Sequence, residues 1–163
     1  MSARWRDLPD DAVLLPLTVA QLDAVLEIEQ AAYAFPWSRG NFVDSLVAGY
    51  LARVLRGTDG AAMGYFLAMA GVDEMHLLNL TVAPAYQRRG LSLVMLAALE
   101  DECRAAGAVK LWLEVRVSNT RARAIYERYG FMQVGIRKGY YPAAQSSRED
   151  AAVMILDRSG AAR

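Results

Sequence analysis

Apolar and polar positions change their period several times along the chain, and each change marks an element. Residues up to about Asp11 show no periodicity and contain Pro9, which reads as a loosely held tail. Val13 to Leu17 is a short apolar run interrupted by Pro16, the pattern of an edge strand. Thr18 then caps a helix whose stripe, Leu22, Val25, Leu26 and Ile28 to Glu29, continues to about Ala32. Pro36 drives the residue before it out of the helical region, and Ser38 caps a second short helix through Phe42 and Leu46. Tyr50 to Leu55 and Met63 to Ala70 read as hairpin partners around Gly57-Thr58-Asp59-Gly60, and Met75 to Val82 as the next strand.

Beyond Val82, Gln87-Arg88-Arg89-Gly90-Leu91-Ser92 opens an amphipathic helix that runs to about Ala106, with Leu93, Leu96, Ala97, Glu100 and Cys103 at helical spacing. Val109 to Val117 alternates with period two: Leu111, Leu113, Val115 and Val117 face one way, Trp112, Glu114 and Arg116 the other. Ser118-Asn119-Thr120 starts a helix with the stripe Ala122, Ile125, Tyr126 and Tyr129, stopped by Gly130. Phe131 to Ile136 reads as a strand, Lys138 to Ser147 as a loop and Ala151 to Leu156 as the last strand. This order predicts an α/β (α+β) fold, a mixed sheet with helices on both faces, whose ligand binds where neighbouring strands part. No repeat or linker divides the chain, so residues 1–163 are expected to form a single domain with flexible tails at 1–11 and 159–163.

Composition narrows the function classes. The 163 residues are 55% hydrophobic with a formal net charge of zero, enough for a sizeable core and a poor match to a nucleic-acid-coating protein or a polybasic membrane binder. The single Cys103 rules out an internal disulfide, and with His76 as the single histidine no usual structural zinc site can be assembled. No apolar stretch approaches the roughly 20 residues needed to cross a bilayer, and the N-terminus has no signal-peptide core. The expectation is a cytoplasmic protein with no metal. Cys103 reads as a buried structural thiol and His76 as an ordinary strand residue.

The turn at Gln87 to Ser92 carries the first chemistry. The free amides of a first helical turn, the positive end of the helix dipole and two adjacent arginines favour a phosphate or pyrophosphate, and Gly90 lets the backbone approach it. Neither GxxxxGK[ST] nor GxGxxG is present. The stretch matches instead the Q/R-x-x-G-x-G/A signature through Gln87, Gly90 and Ser92, with a serine at the usual small residue. With Ala34-Phe35-Pro36-Trp37-Ser38, Leu111-Trp112-Leu113-Glu114-Val115-Arg116, Ser118-Asn119, Tyr126-Glu127, Gly130-Phe131, Tyr140-Tyr141-Pro142 and Arg148-Glu149-Asp150-Ala151 in order, the chain from about Leu14 to Leu156 resembles the GNAT superfamily. Within it the closer resemblance is to the RimI family of ribosomal-protein-alanine N-acetyltransferases.

That resemblance implies a GNAT fold with splayed fourth and fifth strands. It implies acetyl-CoA as co-substrate, with its pantetheine paired to the backbone of Leu80, Thr81 and Val82. Its pyrophosphate is then cradled by Arg88, Arg89, Gly90, Leu91, Ser92 and Leu93, and Asn119 lies near it. It also assigns Glu114 as general base and Tyr126 as general acid. Read from the residues alone, Glu114 is equally a solvated strand-end carboxylate and Tyr126 a core residue. An apolar Trp112 beside Glu114 favours a raised carboxyl pKa, whereas Arg116 on the same face is a candidate ion-pair partner. Phe35, Trp37, Tyr140 and Tyr141 either wall a peptide slot or pack the core.

An α-amine has a pKa near 8 and is about one-tenth neutral at pH 7, while a lysine near 10.4 is neutral only about once in a few thousand molecules. The α-amine is the easier nucleophile, in keeping with the N-terminal peptide of a ribosomal protein as acceptor. A lysine or small-amine acetyltransferase and a non-catalytic acyl-CoA-binding module remain open at this stage.

Overall fold

The computed structural model describes residues 12–160. The expected tails fall outside these except for Ser159 and Gly160, and Ser159 is tied back through its N–H and hydroxyl to Asp157 Oδ1. The elements are β1 (Val13–Pro16), α1 (Leu22–Ala32), α2 (Arg39–Val47), β2 (Leu51–Arg56), β3 (Ala62–Ala70) and β4 (Glu74–Val82), followed by α3 (Leu91–Ala105), β5 (Lys110–Arg116), α4 (Thr120–Tyr129), β6 (Met132–Pro142) and β7 (Arg148–Asp157). The strands form a seven-stranded mixed sheet in the order β1-β2-β3-β4-β5-β7-β6. Residues up to Met69 cluster with Leu78–Leu99, and Ala70–Leu77 with the residues from Glu100 onward, giving two compact units.

In the first unit β1 pairs antiparallel with β2, and β2 with β3. The core gathers Leu17, Leu22, Val25, Phe42, Val54, Tyr65 and Leu67, with Phe42 edge-on to Tyr65; each such buried aliphatic side chain contributes about 2 kcal/mol relative to exposure. Ser38 caps α2 as its sequence requires, its hydroxyl accepting from the Asn41 N–H at 3.1 Å. Thr18, by contrast, precedes a 3-10 turn at Val19–Gln21, and α1 begins only after it. Gly64 of β3 leaves no room for a side chain: a Cβ there would meet the Thr81 carbonyl at 2.7 Å and Met95 Cε at 3.0 Å.

In the second unit β5 lies parallel to β4 and antiparallel to β7. Its alternation holds, with Leu111, Leu113 and Val115 buried and Trp112, Glu114 and Arg116 on the other face. The expected loop from Lys138 is instead strand as far as Pro142, because β6 resumes pairing with β7 at Tyr141↔Glu149 after a register shift. Side chains bridge that shift. Asp150 accepts from the Gly139 N–H at 2.9 Å and pairs with Lys138, while Arg148 donates to the Gly139 and Tyr140 carbonyls.

Glu100 on α3 is buried and binds three partners of this unit: the Tyr129 hydroxyl at 2.7 Å, Arg158 Nε at 2.7 Å, and Arg104 at 3.8 Å. Burial alone would raise its pKa, but the hydrogen bonds from Arg158 and Tyr129 and the two arginine charges together hold it below 4.5. A carboxyl whose folded pKa is depressed stabilises the protein fully above its unfolded value, and that stabilisation is lost as pH falls through the folded value. Glu100→Gln should therefore lower the denaturation midpoint at neutral pH and narrow the loss of stability below about pH 4.5. Equal acid sensitivity of variant and parent in urea titrations would show that Glu100 is not responsible.

Candidate functional site

The turn before α3 is built by backbone conformation. Arg88 and Gly90 both adopt positive φ, 66° and 76°, on either side of Arg89, so the chain curls before Leu91 starts the helix. Helix geometry leaves the first N–H groups of α3 without intrahelical partners, and they open onto this curl. Gln87 ties the turn to the strand end through Nε2 and the Val82 carbonyl at 3.2 Å, and Arg89 lies over the Tyr86 ring. Arg88, Arg89 and Gly90 are exposed, while Leu91 is buried and Ser92 and Leu93 are partly so. Two cations and a helix N-terminus at one exposed turn suit an anionic ligand.

The parallel β4–β5 ladder runs from Glu74↔Lys110 to Leu77↔Leu113 and stops, although β4 continues to Val82 and β5 to Arg116. This is the expected splay. Leu80, Thr81 and Val82 thus lie past the last rung, as does Glu114 on the other strand. The Leu80 carbonyl accepts from the Tyr33 hydroxyl at 3.4 Å.

Glu114 is buried, its side chain 5% exposed. Oε1 contacts His76 Nε2 at 2.6 Å, and Oε2 lies 3.3 Å from Arg137 Nε, without the alignment of a hydrogen bond. Trp112 stacks on His76, with ring centroids 3.6 Å apart and planes 6° from parallel. Arg116, the partner the sequence suggested for Glu114, binds the Pro142 carbonyl and Glu149 and lies over the Tyr141 ring. Tyr140 and Tyr141 pack edge to face, and Arg137 lies over Tyr140. Burial first, and then the Glu114 charge, pushes both phenols above their usual pKa.

Tyr126 is 9% exposed, with its ring against Phe131. Asn119 is exposed at the start of α4, where its side chain caps the helix by accepting from the Ala122 N–H at 3.1 Å. Phe35 is exposed and Trp37 half-buried against Phe42. Phe35 and Trp37 belong to the first unit, and Glu114, Tyr126, Tyr140 and Tyr141 to the second. Among the described residues no group of His, Cys, Asp and Glu is placed to hold a metal, and no helix is long and apolar enough to cross a membrane.

Residues 22–131 match the model of the Acetyltransferase (GNAT) family. The chain belongs to the GNAT acetyltransferase family. It is 44% identical over 140 residues to the [ribosomal protein bS18]-alanine N-acetyltransferase of Salmonella typhimurium, spanning 86% of this chain and 93% of that protein. The enzyme of the same name from Haemophilus ducreyi is 42% identical across 81% of this chain and 90% of its own. The crystal structure of the ribosomal-protein-S18-alanine N-acetyltransferase from Escherichia coli superposes with a TM-score of 0.83 at 40% identity, covering 91% of this chain and 94% of that one. The chain is an N-acetyltransferase, and enzymes of this family take the acetyl group from acetyl-CoA.

Two features of this acetyltransferase escaped the sequence. One is the contact of His76 with Glu114. The other is Glu29, which sits in the apolar stripe of α1 and is 1% exposed. Its Oε1 accepts from the Tyr65 hydroxyl at 2.8 Å and Asn79 Nδ2 at 3.0 Å, and its Oε2 from the Trp37 N–H at 2.9 Å. Thr81 extends the network, donating to Asn79 at 2.7 Å and meeting the Tyr33 hydroxyl at 2.7 Å. A charged residue inside an apolar stripe was the available signal, since such a residue needs buried donors. Glu29→Leu leaves three donors without their acceptor and should destabilise the enzyme by about 2–4 kcal/mol in urea titration. A loss within experimental error would mean that water replaces the carboxylate.

Proposed function

We propose that the enzyme acetylates the α-amine of an N-terminal alanine on a ribosomal protein by direct transfer from acetyl-CoA. The observation that carries this reading is identity above 40% to enzymes named for that reaction, across at least nine-tenths of their length. A ribosomal acceptor places the reaction in the cytoplasm.

Acetyl-CoA supplies the activated thioester. Arg88, Arg89 and the backbone from Gly90 to Leu93 hold its pyrophosphate, an assignment supported by the curled turn and the α3 N-terminus. The backbone of Leu80, Thr81 and Val82 pairs with the pantetheine, as their place beyond the last β4–β5 rung favours. Asn119 borders the co-substrate from the start of α4. Phe35, Trp37, Tyr140 and Tyr141 line the acceptor peptide.

Chemistry then needs one base and one acid. Glu114 takes a proton from the acceptor amine, directly or through a water, as the nitrogen bonds to the acetyl carbon. The carbon–sulfur bond breaks, and Tyr126 gives its hydroxyl proton to the departing thiolate. The Oε2 of Glu114 supports the first role: Arg137 meets it as an ion pair at 3.3 Å without an aligned hydrogen bond, which leaves a lone pair for the amine. An α-amine with a pKa near 8 is neutral often enough at pH 7 for one carboxylate to complete its deprotonation.

Glu114→Gln should lower kcat by roughly 10²- to 10⁴-fold while leaving acetyl-CoA binding intact, measured by steady-state turnover and calorimetry. Selectivity is read by mass spectrometry on two peptides, one with a free N-terminal alanine and no lysine, the other N-terminally blocked with an internal lysine. Acetylation of the first alone is expected. Acetylation of the second alone overturns the α-amine assignment.

A further inference from the structure

The single histidine of the chain is not a bystander of the sheet. His76 is paired in register with Trp112 across the β4–β5 ladder, one rung before the last, and Glu114 lies two residues beyond Trp112 on the same face. The flat stack on Trp112 fixes the imidazole plane. Its Nε2 meets Glu114 Oε1 at 2.6 Å, with the two side chains only 12% and 5% exposed. Arg137 approaches the other oxygen from β6, and the Tyr140 and Tyr141 phenols feel the same carboxylate charge.

We infer that His76 is a positioning residue for Glu114. Its Nε2–H donates to Oε1 and locks the carboxylate rotor, so that Oε2 is the oxygen presented to the acceptor amine. The inference rests on the reading of Glu114 as the base. An ionised carboxylate offers only acceptors, so the short contact places the proton on the imidazole nitrogen. A base held in one orientation reacts as if at high effective concentration, and one free to rotate loses that advantage. Trp112 completes the device by holding the ring, and neither residue needs to touch substrate.

The test is a double-mutant cycle on the full chain, with acetyl-CoA and the alanine-terminated peptide, following kcat and both KM values. His76→Ala removes the donor, His76→Phe keeps the stack but removes the donor, and His76→Gln restores an N–H at a similar distance. His76→Ala and His76→Phe should each lower kcat roughly tenfold or more with the KM for acetyl-CoA unchanged, and His76→Gln should recover most of it. On a Glu114→Gln background, removing His76 should change kcat less than about twofold, since the group it positions is gone. Full kcat in His76→Phe, alongside a crippled Glu114→Gln, overturns the positioning role and leaves the base standing. The same fold-loss from His76→Phe on both backgrounds shows that His76 acts through the fold and overturns it as well. Full activity of Glu114→Gln alone removes the base, and the inference with it. If His76→Ala does not fold, the phenylalanine and glutamine variants decide the matter.

Discussion

A parallel ladder that stops after Leu77↔Leu113 is the constraint on which the rest of the structure depends. Backbone N–H and C=O groups of a strand require partners, and two strands that run on past their last shared rung must find them elsewhere. β5 satisfies one edge through β7, and β4 has β3 as its other neighbour. The remaining edge of β4 at Leu80 to Val82 suits an extended chain bearing amides, the chemistry proposed for pantetheine. The same stop makes Glu114 the first β5 residue past the ladder. Holding Trp112 and His76 on the rung before the last places the imidazole within 2.6 Å of that carboxylate.

Charge is used sparingly and in buried company. Glu29, Glu100 and Glu114 bury their carboxylates, and each is met by named partners. Glu100 is satisfied by Arg158, Tyr129 and Arg104, and Glu29 by neutral donors, so both belong to folding. Glu114 alone keeps an oxygen without an aligned hydrogen bond. Arg137 meets that oxygen as an ion pair at 3.3 Å. The Glu29 bond to the Trp37 N–H also ties down the turn after α1 that carries Phe35 and Trp37, the residues proposed to line the acceptor peptide.

Much of this architecture was legible in the sequence because local rules agreed with the fold. The alternation of Leu111, Leu113 and Val115 sets β5, Ser38 caps α2, and Asn119 and Gly130 bound α4. The end of β6 was not legible, because Lys138 to Pro142 has loop composition and pairs only through the bulge that Asp150 and Arg148 bridge from β7. The partners of Arg116 and Glu114 were not legible either. Arg116 and Glu114 share a face, which suggested contact, but Arg116 reaches Glu149 and Pro142 while Arg137 approaches Glu114. His76 and Glu114 are 38 residues apart, and only the register of the parallel pair joins them. The family signatures named candidate residues, but they carried no information on which side chain orients which.

The central claim is that the backbone past the last β4–β5 rung and the turn before α3 together receive acetyl-CoA. Amide hydrogen exchange with fragment mass spectrometry, with and without acetyl-CoA, tests it most directly. Slowed exchange is expected in the fragments containing residues 80–82 and 88–93, with residues 51–56 of β2 unchanged. Tight binding with no protection in either predicted segment would contradict it.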